Sequence, residues 1–587
     1  MARNPAMHRD TVAAARARRT RHRRRAPDAA AARGAVAGPW LVPSGLVSEV
    51  QRVPDLLYAE PRLGVDAAEL CAALDFAFAG GGCLEQLERA LDGAPLPIVP
   101  GWDPTCFAAD LFTGEFIDTC MAVTLSGAAG PVPLGTTFLS RVLTHPPPDE
   151  ASVALRREVQ VELEDTSRRR AFEALYLELR RLRQAFDHLS GVTRYEVTRR
   201  RIDTLTLFQS IVARAATDFG DANSALGRIA ALAEEITSSP GWSQLVELLD
   251  YENELARVDV RMRLGADGRV RRMELVAVEE NRTNRFYATP LGRWVARIVL
   301  LWRGYRFSGE ELVDRWLDHV FQGLSHFIPP LIQLLGHMEV YLASLAFKSL
   351  CEAKGLAVCF PELTTTDDGE ARRVEGLFNP LLFKQGVVPR PCDVTAAPRA
   401  LTIITGPNSG GKTRLLQALG WTQLLGQVGL YAPARRARLP RATGMFISLI
   451  DEPKAEQKEG RLGTELMRIR RMFETTRTGG LVLLDELCSG TNPSEGEEIF
   501  YLVLSLLDEL GPASFITTHF LEFARTLAGE DEALPLSFLQ VELDAEQRPT
   551  YGFVAGVATT SLAAQTAARL GVTREELMAL VRRNTRR

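Results

Sequence analysis

The chain lacks any uninterrupted apolar run approaching the roughly 18–20 residues that a bilayer-spanning helix requires. Short runs such as Ile298 to Trp302 have the length of buried helix segments, and no membrane partner is expected. Charge of one sign is missing as well. The formal net charge is −4, which excludes a uniformly basic nucleic-acid coat and leaves local patches open. Paired cysteines are also absent. Cys71, Cys83, Cys106, Cys120, Cys351, Cys359, Cys392 and Cys488 are scattered with no CxxC spacing. Neither a zinc site nor a disulfide framework is indicated, and a reducing cytoplasm is the expected setting.

What is present is length and apolar content. With 587 residues, 46% of them apolar, the chain has material for roughly three or four domains with ample cores. Residues 1–38 stand apart: they are rich in Ala and Arg, with Arg18-Arg19 and Arg23-Arg24-Arg25, and poor in acids and large apolar groups. Such a segment buries too little surface to offset its ordering entropy, so a disordered basic tail is expected. Residues 39–107, with Gly80-Gly81-Gly82 and several prolines, read as a small, mostly helical N-terminal region of unknown role.

Residues 108–355 read as helical. After Pro146-Pro147-Pro148, the spacing Phe172, Leu175, Leu179, Leu182, Phe186, Leu189 is a 3-4-3-4-3 repeat, which predicts a helix packed lengthwise on another. Arg168, Arg169 and Arg170 lie on its other faces with Arg180, Arg181 and Arg183; they form either a solvated face or a track along DNA phosphates. Residues 258–278 change period. Val258, Val260, Met262 and Leu264 alternate, Asp267-Gly268 can turn, and Met273 and Leu275 alternate again, which predicts a β-hairpin inserted between helices. Helices resume over 290–355. From about residue 356 short apolar strands alternate with helices, an α/β pattern assigned to 356–560.

The chemistry sits in that last region. The strand-like run Leu401 to Thr405 leads into Gly406, Pro407, Asn408, Ser409, Gly410, Gly411, Lys412 and Thr413, and then into a helical stretch. This is GxxxxGK[ST] in a strand–loop–helix setting, where glycines allow backbone N–H groups to close around phosphate and the helix N-terminus adds a favourable dipole. ATP and Mg2+ are therefore the expected cofactors, with Lys412 on the β- and γ-phosphates and Thr413 on the metal. A second apolar strand, Leu481 to Leu484, ends in Asp485 and Glu486. Asp485 can hold Mg2+, and Glu486 can polarise the attacking water as general base. A third strand, Ser514 to Thr518, ends in His519, placed to hydrogen-bond a γ-phosphate.

At these residues the chain resembles the MutS family. Thr405-Gly-Pro-Asn-Ser-Gly-Gly-Lys-Thr413 is similar to the family's P-loop, and Asp485-Glu-Leu-Cys-Ser-Gly-Thr-Asn-Pro-Ser-Glu-Gly496 resembles its Walker B strand and the following loop. The Gly-Thr-x-Pro-x-Glu-Gly form is nearer to the bacterial paralogue branch associated with recombination control than to the mismatch-repair branch. Thr518-His519-Phe-Leu-Glu-Phe523 resembles the Thr-His-x-x-Glu-Leu motif. More weakly, Leu134 to Leu143 with Pro146 to Asp149, Arg156 and Val159 is similar to the start of the core domain. Residues 331–345 resemble a helix returning from the levers, and Ser561 to Arg583 the C-terminal dimerising helices.

The resemblance implies a multidomain protein: an α-helical core and lever region at 108–355 with a small β-hairpin insertion, then an α/β P-loop ATPase domain of ABC type, and a helical dimerisation segment at 561–587. It further implies a cytoplasmic homodimer that couples ATP hydrolysis to binding of double-stranded, mismatched or branched DNA in repair or recombination control. Two other readings stand beside it: an ABC-like ATPase subunit of a machine that does not act on DNA, and a nucleotide-binding scaffold with little hydrolysis. There are departures. Residues 1–150 contain no Phe-x-Glu, the family's mismatch wedge. The Ser-Thr-Phe-Met signature loop corresponds to Gly463-Thr464-Glu465-Leu466, without its serine, and Arg-His-Pro before the ATPase is Phe378-Asn379-Pro380. No nuclease domain is expected after residue 587. Leu363 and Phe360 are the candidates for stacking on adenine.

Overall fold

The computed structural model describes residues 52–125, 130–187, 194–252, 256–264, 270–280, 309–365, 369–449, 461–488, 492–529, 534–559 and 572–585. The basic tail at 1–38, the 298–302 run, Leu189, the Asp267-Gly268 turn and all of 561–571 lie outside the described residues.

The helical region is built on one pillar, Ile328–Ala353, which begins at Pro329-Pro330 and is buried on nearly all its faces. Proline at the first helical positions loses no hydrogen bond, because those N–H groups have no intrahelical partner. The stretch Asp314–Ala353 has the length and composition of a membrane-crossing helix, but 94% of its apolar window is buried inside the protein. Gln333, His337 and Glu339 interrupt its apolar run, and a central core helix shares that length and composition.

Against the pillar lies the helix Thr166–Asp187. Phe172, Leu175, Leu179, Leu182 and Phe186 of the 3-4 repeat are all buried. Asp165 starts this helix by accepting from Arg168 N at 2.9 Å. The long helix Arg194–Phe219 and the shorter Gly227–Ser238 and Pro240–Glu252 pack on from there. Strands β1 (Ala256–Leu264) and β2 (Val270–Glu280) then pair antiparallel, with Met262 opposite Met273. This is the hairpin that the alternating pattern predicts.

The polar residues buried along the pillar are each satisfied from another element. Glu339 accepts from Tyr176 OH at 3.0 Å and Gly135 N at 2.7 Å, and Ser344 Oγ donates to Gln160 Oε1. Burial raises the Glu339 carboxyl above the usual carboxylate range, against those two hydrogen bonds.

Ten strands follow. A four-stranded sheet of order β3-β7-β4-β5 comprises β3 (Glu362–Thr364), β4 (Arg372–Leu377), β5 (Cys392–Ala396) and β7 (Arg436–Pro440). The larger sheet contains β6 (Leu401–Thr405), β8 (Met445–Ser448), β9 (Leu481–Leu484), β10 (Ala513–Thr517), β11 (Leu536–Leu543) and β12 (Pro549–Ala555). Its order is β12-β11-β6-β10-β9-β8, and all its pairings are parallel except β11 with β12. Buried Leu, Val and Ile on both faces of β6 and β9 suit a sheet covered by helices on each side. Parallel strands put their carboxyl ends on one edge, where an open α/β sheet binds ligands.

Trp421, on the helix Lys412–Val428, ties this sheet to the N-terminal region. Its ring stacks on Phe116 at 3.9 Å, and its Nε1 donates to Leu111 O at 3.1 Å.

Candidate nucleotide site

Two loops meet at the carboxyl edge of the larger sheet. The first runs from β6 into the helix Lys412–Val428 through Gly406 to Gly411. Its backbone needs glycine at two points. Gly406 has φ +141, and a Cβ there would lie 2.6 Å from Val541 Cγ2; Gly411 has φ +93 and faces the Tyr551 ring. The Lys412 ammonium lies within the loop, donating to Gly406 O at 3.0 Å and Pro407 O at 3.2 Å. Burial pushes its pKa below the usual lysine range, opposed by the nearby carboxylates of Glu486 and Asp485.

The second loop follows β9. The hydroxyl of Thr413 donates to Asp485 Oδ2, and the hydroxyl of Thr517, at the end of β10, donates to Asp485 Oδ1. Thr517 Oγ1 also accepts from Glu486 N at 2.8 Å. That donor is fixed by the backbone and does not depend on the Glu486 side chain. Glu486 and Cys488 both have positive φ, +49 and +64; such backbone is costly for non-glycine residues and persists only where its surroundings impose it. The structure thus brings Lys412, Thr413, Asp485 and Glu486 to one place from two loops 72 residues apart.

A cleft of about 1090 Å3 opens over this point. Asn408 to Thr413 and Glu486 line it, together with the apolar side chains of Phe378, Leu382, Val387, Val388 and Tyr551. Tyr551 has φ +62 on β12. These apolar residues are the ones sequence reasoning missed. Phe360 instead stacks on Tyr431 at 4.1 Å, and Leu363 pairs with Leu439 inside the smaller sheet, so neither guessed residue lines the cleft. The residues present fit a nucleotide with its metal: a glycine loop able to present N–H groups, a buried lysine, a Thr–Asp pair for a hard cation and an apolar slot beyond.

Other expected residues fall elsewhere. His519 follows β10 but is exposed, with its ring 4.2 Å from Phe520, and it does not line the cleft. Gly463 to Leu466 lie on the helix Arg461–Thr475, where Glu465 accepts from Cys488 N in the loop after Glu486. Asn379, in place of the family's histidine, donates to Arg414 O and Gln417 Oε1 at 3.0 Å each. Of the arginine cluster, Arg168 is drawn into the protein. It pairs with Glu162 at 3.2 Å and Asp221 at 2.8 Å, and it donates to Asp218 O. Arg169 pairs with Glu173 at 3.0 Å, and Arg170 is exposed. Arg168 and Arg169 are thus each paired with carboxylates of the chain, and Arg170 is the exposed member of the cluster.

Residues 402–578 match the family model described as MutS domain V. That span contains the P-loop, Asp485 and Thr517, so the candidate site lies within the part of the chain similar to MutS domain V. The chain is 32% identical over 274 residues to "Endonuclease MutS2" of Thermus thermophilus, which is 46% of this chain and 35% of that protein. It is 29% identical over 283 residues to the protein of the same name from Thermomicrobium roseum, again 46% and 35%. To that of Halothermothrix orenii it is 34% identical over 202 residues, 34% of this chain and 25% of the relative. The matched part thus spans about a third or less of these curated relatives. Over the matched part the chain is similar to the MutS family, and to the MutS2 proteins within it.

Proposed function

We propose that the chain binds ATP with Mg2+, hydrolyses it as a homodimer, and uses the cycle to control its grip on double-stranded or branched DNA in repair or recombination. The observation that carries the reading is the meeting of Lys412, Thr413, Asp485 and Glu486 at one sheet edge beside a cleft of nucleotide size. Lys412 and the loop N–H groups would hold the phosphates, and Thr413 and Asp485 would hold the metal, which supplies neutralisation of the phosphate charge when bound. Glu486 would take the proton of the attacking water. Phe378, Val387, Val388 and Tyr551 offer the apolar face for the base. His519 would need a different side-chain position to contact a phosphate.

A dimer is supported by apolar side chains left exposed on two helices, Leu466 and Met467 on one, Leu577, Met578, Leu580 and Val581 on the C-terminal other. The DNA partner rests on that similarity to the family, with Arg170 as the member of its cluster open to phosphate. The endonuclease activity in the relatives' names is not carried over, since the match covers 35% of the first of them.

The test is a fluorescent-nucleotide titration combined with light scattering. The wild-type chain should bind ATP, Lys412→Ala should not, and Glu486→Gln with ATP should scatter as a dimer. Binding by Lys412→Ala at wild-type affinity would refute the assignment of the cleft. A monomer under the last condition would refute the dimer.

A further inference from the structure

Residues 52–65 form a strap with neither helix nor strand of its own, which among the described residues pairs with no strand. Side chains from three helices supply its backbone partners. Arg228 donates to Asp55 O at 2.6 Å, Tyr58 O at 2.8 Å and Ala59 O at 2.6 Å. His337 Nδ1 accepts from Leu56 N at 3.2 Å, the hydroxyl of Tyr341 donates to Leu56 O, and Ser152 Oγ accepts from Ala59 N at 3.0 Å. Gln333 bonds both Gly64 N and Arg62 O. Asp55, itself fully buried, folds the strap by accepting from Leu57 N at 2.8 Å and Tyr58 N at 3.2 Å. The strap is therefore held as a docked peptide is held, by the helices that surround it.

One residue joins the strap to the far end of the helix that begins at Lys412. Arg156, on the helix Glu150–Glu162, is fully buried; its Nε donates to Leu57 O at 2.9 Å and its Nη1 to Val428 O at 2.9 Å. Val428 is the last residue of the helix that begins at Lys412. Arg157 and Gln160 on the same helix donate to Gly426 O at 3.2 Å and Gly429 O at 2.8 Å. A cation at a helix C-terminus satisfies carbonyls that the helix leaves open and complements its dipole. The close fit needs Gly429, whose φ is +86 and whose Cβ would lie 3.0 Å from Val153 O. The helix Lys412–Val428 is buried along almost its whole length, so a shift at its phosphate end reaches its far end with little bending.

We infer that Arg156 is a positioning residue linking nucleotide occupancy to the strap: a guanidinium that grips the far end of the P-loop helix with one nitrogen and the strap with another. The planar fork suits two carbonyls at fixed angles, which a lysine cannot match. This inference rests on the cleft binding ATP.

The test is hydrogen exchange of the strap amides in the full chain, with and without a non-hydrolysable ATP analogue, alongside a fluorescent-nucleotide titration. In the wild-type chain, exchange at Leu56 to Ala59 should change by about threefold or more on nucleotide binding. Arg156→Gln should still bind nucleotide while that change is lost, and Arg156→Lys should restore part of it. A wild-type strap indifferent to bound nucleotide overturns the inference without any variant. So does an Arg156→Gln strap that responds as the wild type does. Failure of the wild-type chain to bind nucleotide overturns the site assignment, and the link with it.

Discussion

Replacing Glu486 by glutamine separates binding from turnover. The Glu486 backbone is held by its N–H on Thr517 Oγ1 at 2.8 Å and by the neighbouring Asp485 contacts to Thr413 and Thr517. None of these uses the Glu486 carboxylate, and glutamine keeps its shape, so loop and cleft should persist. What is lost is the proton acceptor. General-base catalysis contributes roughly 10²–10⁴-fold, and at 1.36 kcal/mol per tenfold this raises the barrier by about 3–5 kcal/mol. Affinity should hold or rise slightly, because one negative charge leaves the end of the cleft that takes phosphate. Single-turnover hydrolysis with labelled ATP, run beside a nucleotide titration, reads both quantities. A Glu486→Gln rate within about threefold of wild type, with nucleotide bound, would refute the role given to Glu486.

Three further outcomes follow from the same geometry. The Lys412 pKa is lowered by burial, and phosphate favours the charged ammonium, so nucleotide affinity should be level near neutrality and fall as pH rises through the lowered pKa; affinity constant up to the ordinary lysine range would contradict this. His337 is buried, its pKa lowered by burial to about 4, and its Nδ1 accepts from Leu56 N. Its unfolded form binds a proton below about 6.5, so the folded state loses stability as pH falls from that value towards 4, by about 3 kcal/mol in all at 1.36 kcal/mol per unit. Denaturant titrations across that window should show the loss in wild type and a smaller slope in His337→Gln. Gly406→Ala, which combines a φ of +141 with a 2.6 Å approach to Val541, should weaken nucleotide binding tenfold or more, about 1.4 kcal/mol, and leave the thermal midpoint of the whole chain nearly unchanged.

Much of the site's polar lining was legible because it is local in sequence. The residues from Gly406 to Thr413 follow one strand directly, and Asp485 follows another, so composition and flanking periodicity were enough to place them. The same holds for the buried seam from Phe172 to Phe186 and for the strand alternation around Met262 and Met273, where period alone identifies the element. The similarity to MutS domain V was readable from the same motifs. The apolar lining was not legible. Val387 and Val388 precede the P-loop and Tyr551 lies on β12, and the fold brings them together by setting β12 beside β11 and against β5. Of the two guessed residues, Phe360 is taken up by stacking on Tyr431 and Leu363 by the smaller sheet. Arginines misled in both directions. Arg168 read as a surface charge and is bound to Glu162 and Asp221, while Arg156, part of a weak family match, is fully buried because its partners are backbone carbonyls at residues 57 and 428. Carbonyl partners leave no mark in a sequence.

The central claim, that this nucleotide site governs a grip on DNA, is tested most directly by equilibrium binding of a four-way junction and a linear duplex, each with and without ATP and Mg2+, at about 0.15 M salt. The account predicts tighter binding of the junction than of the duplex, and an affinity that changes when ATP is added. It also predicts a log–log salt slope of roughly −0.9 per phosphate neutralised. No binding to either DNA, or the same affinity in the presence and absence of ATP by a chain that demonstrably binds the nucleotide, would contradict it.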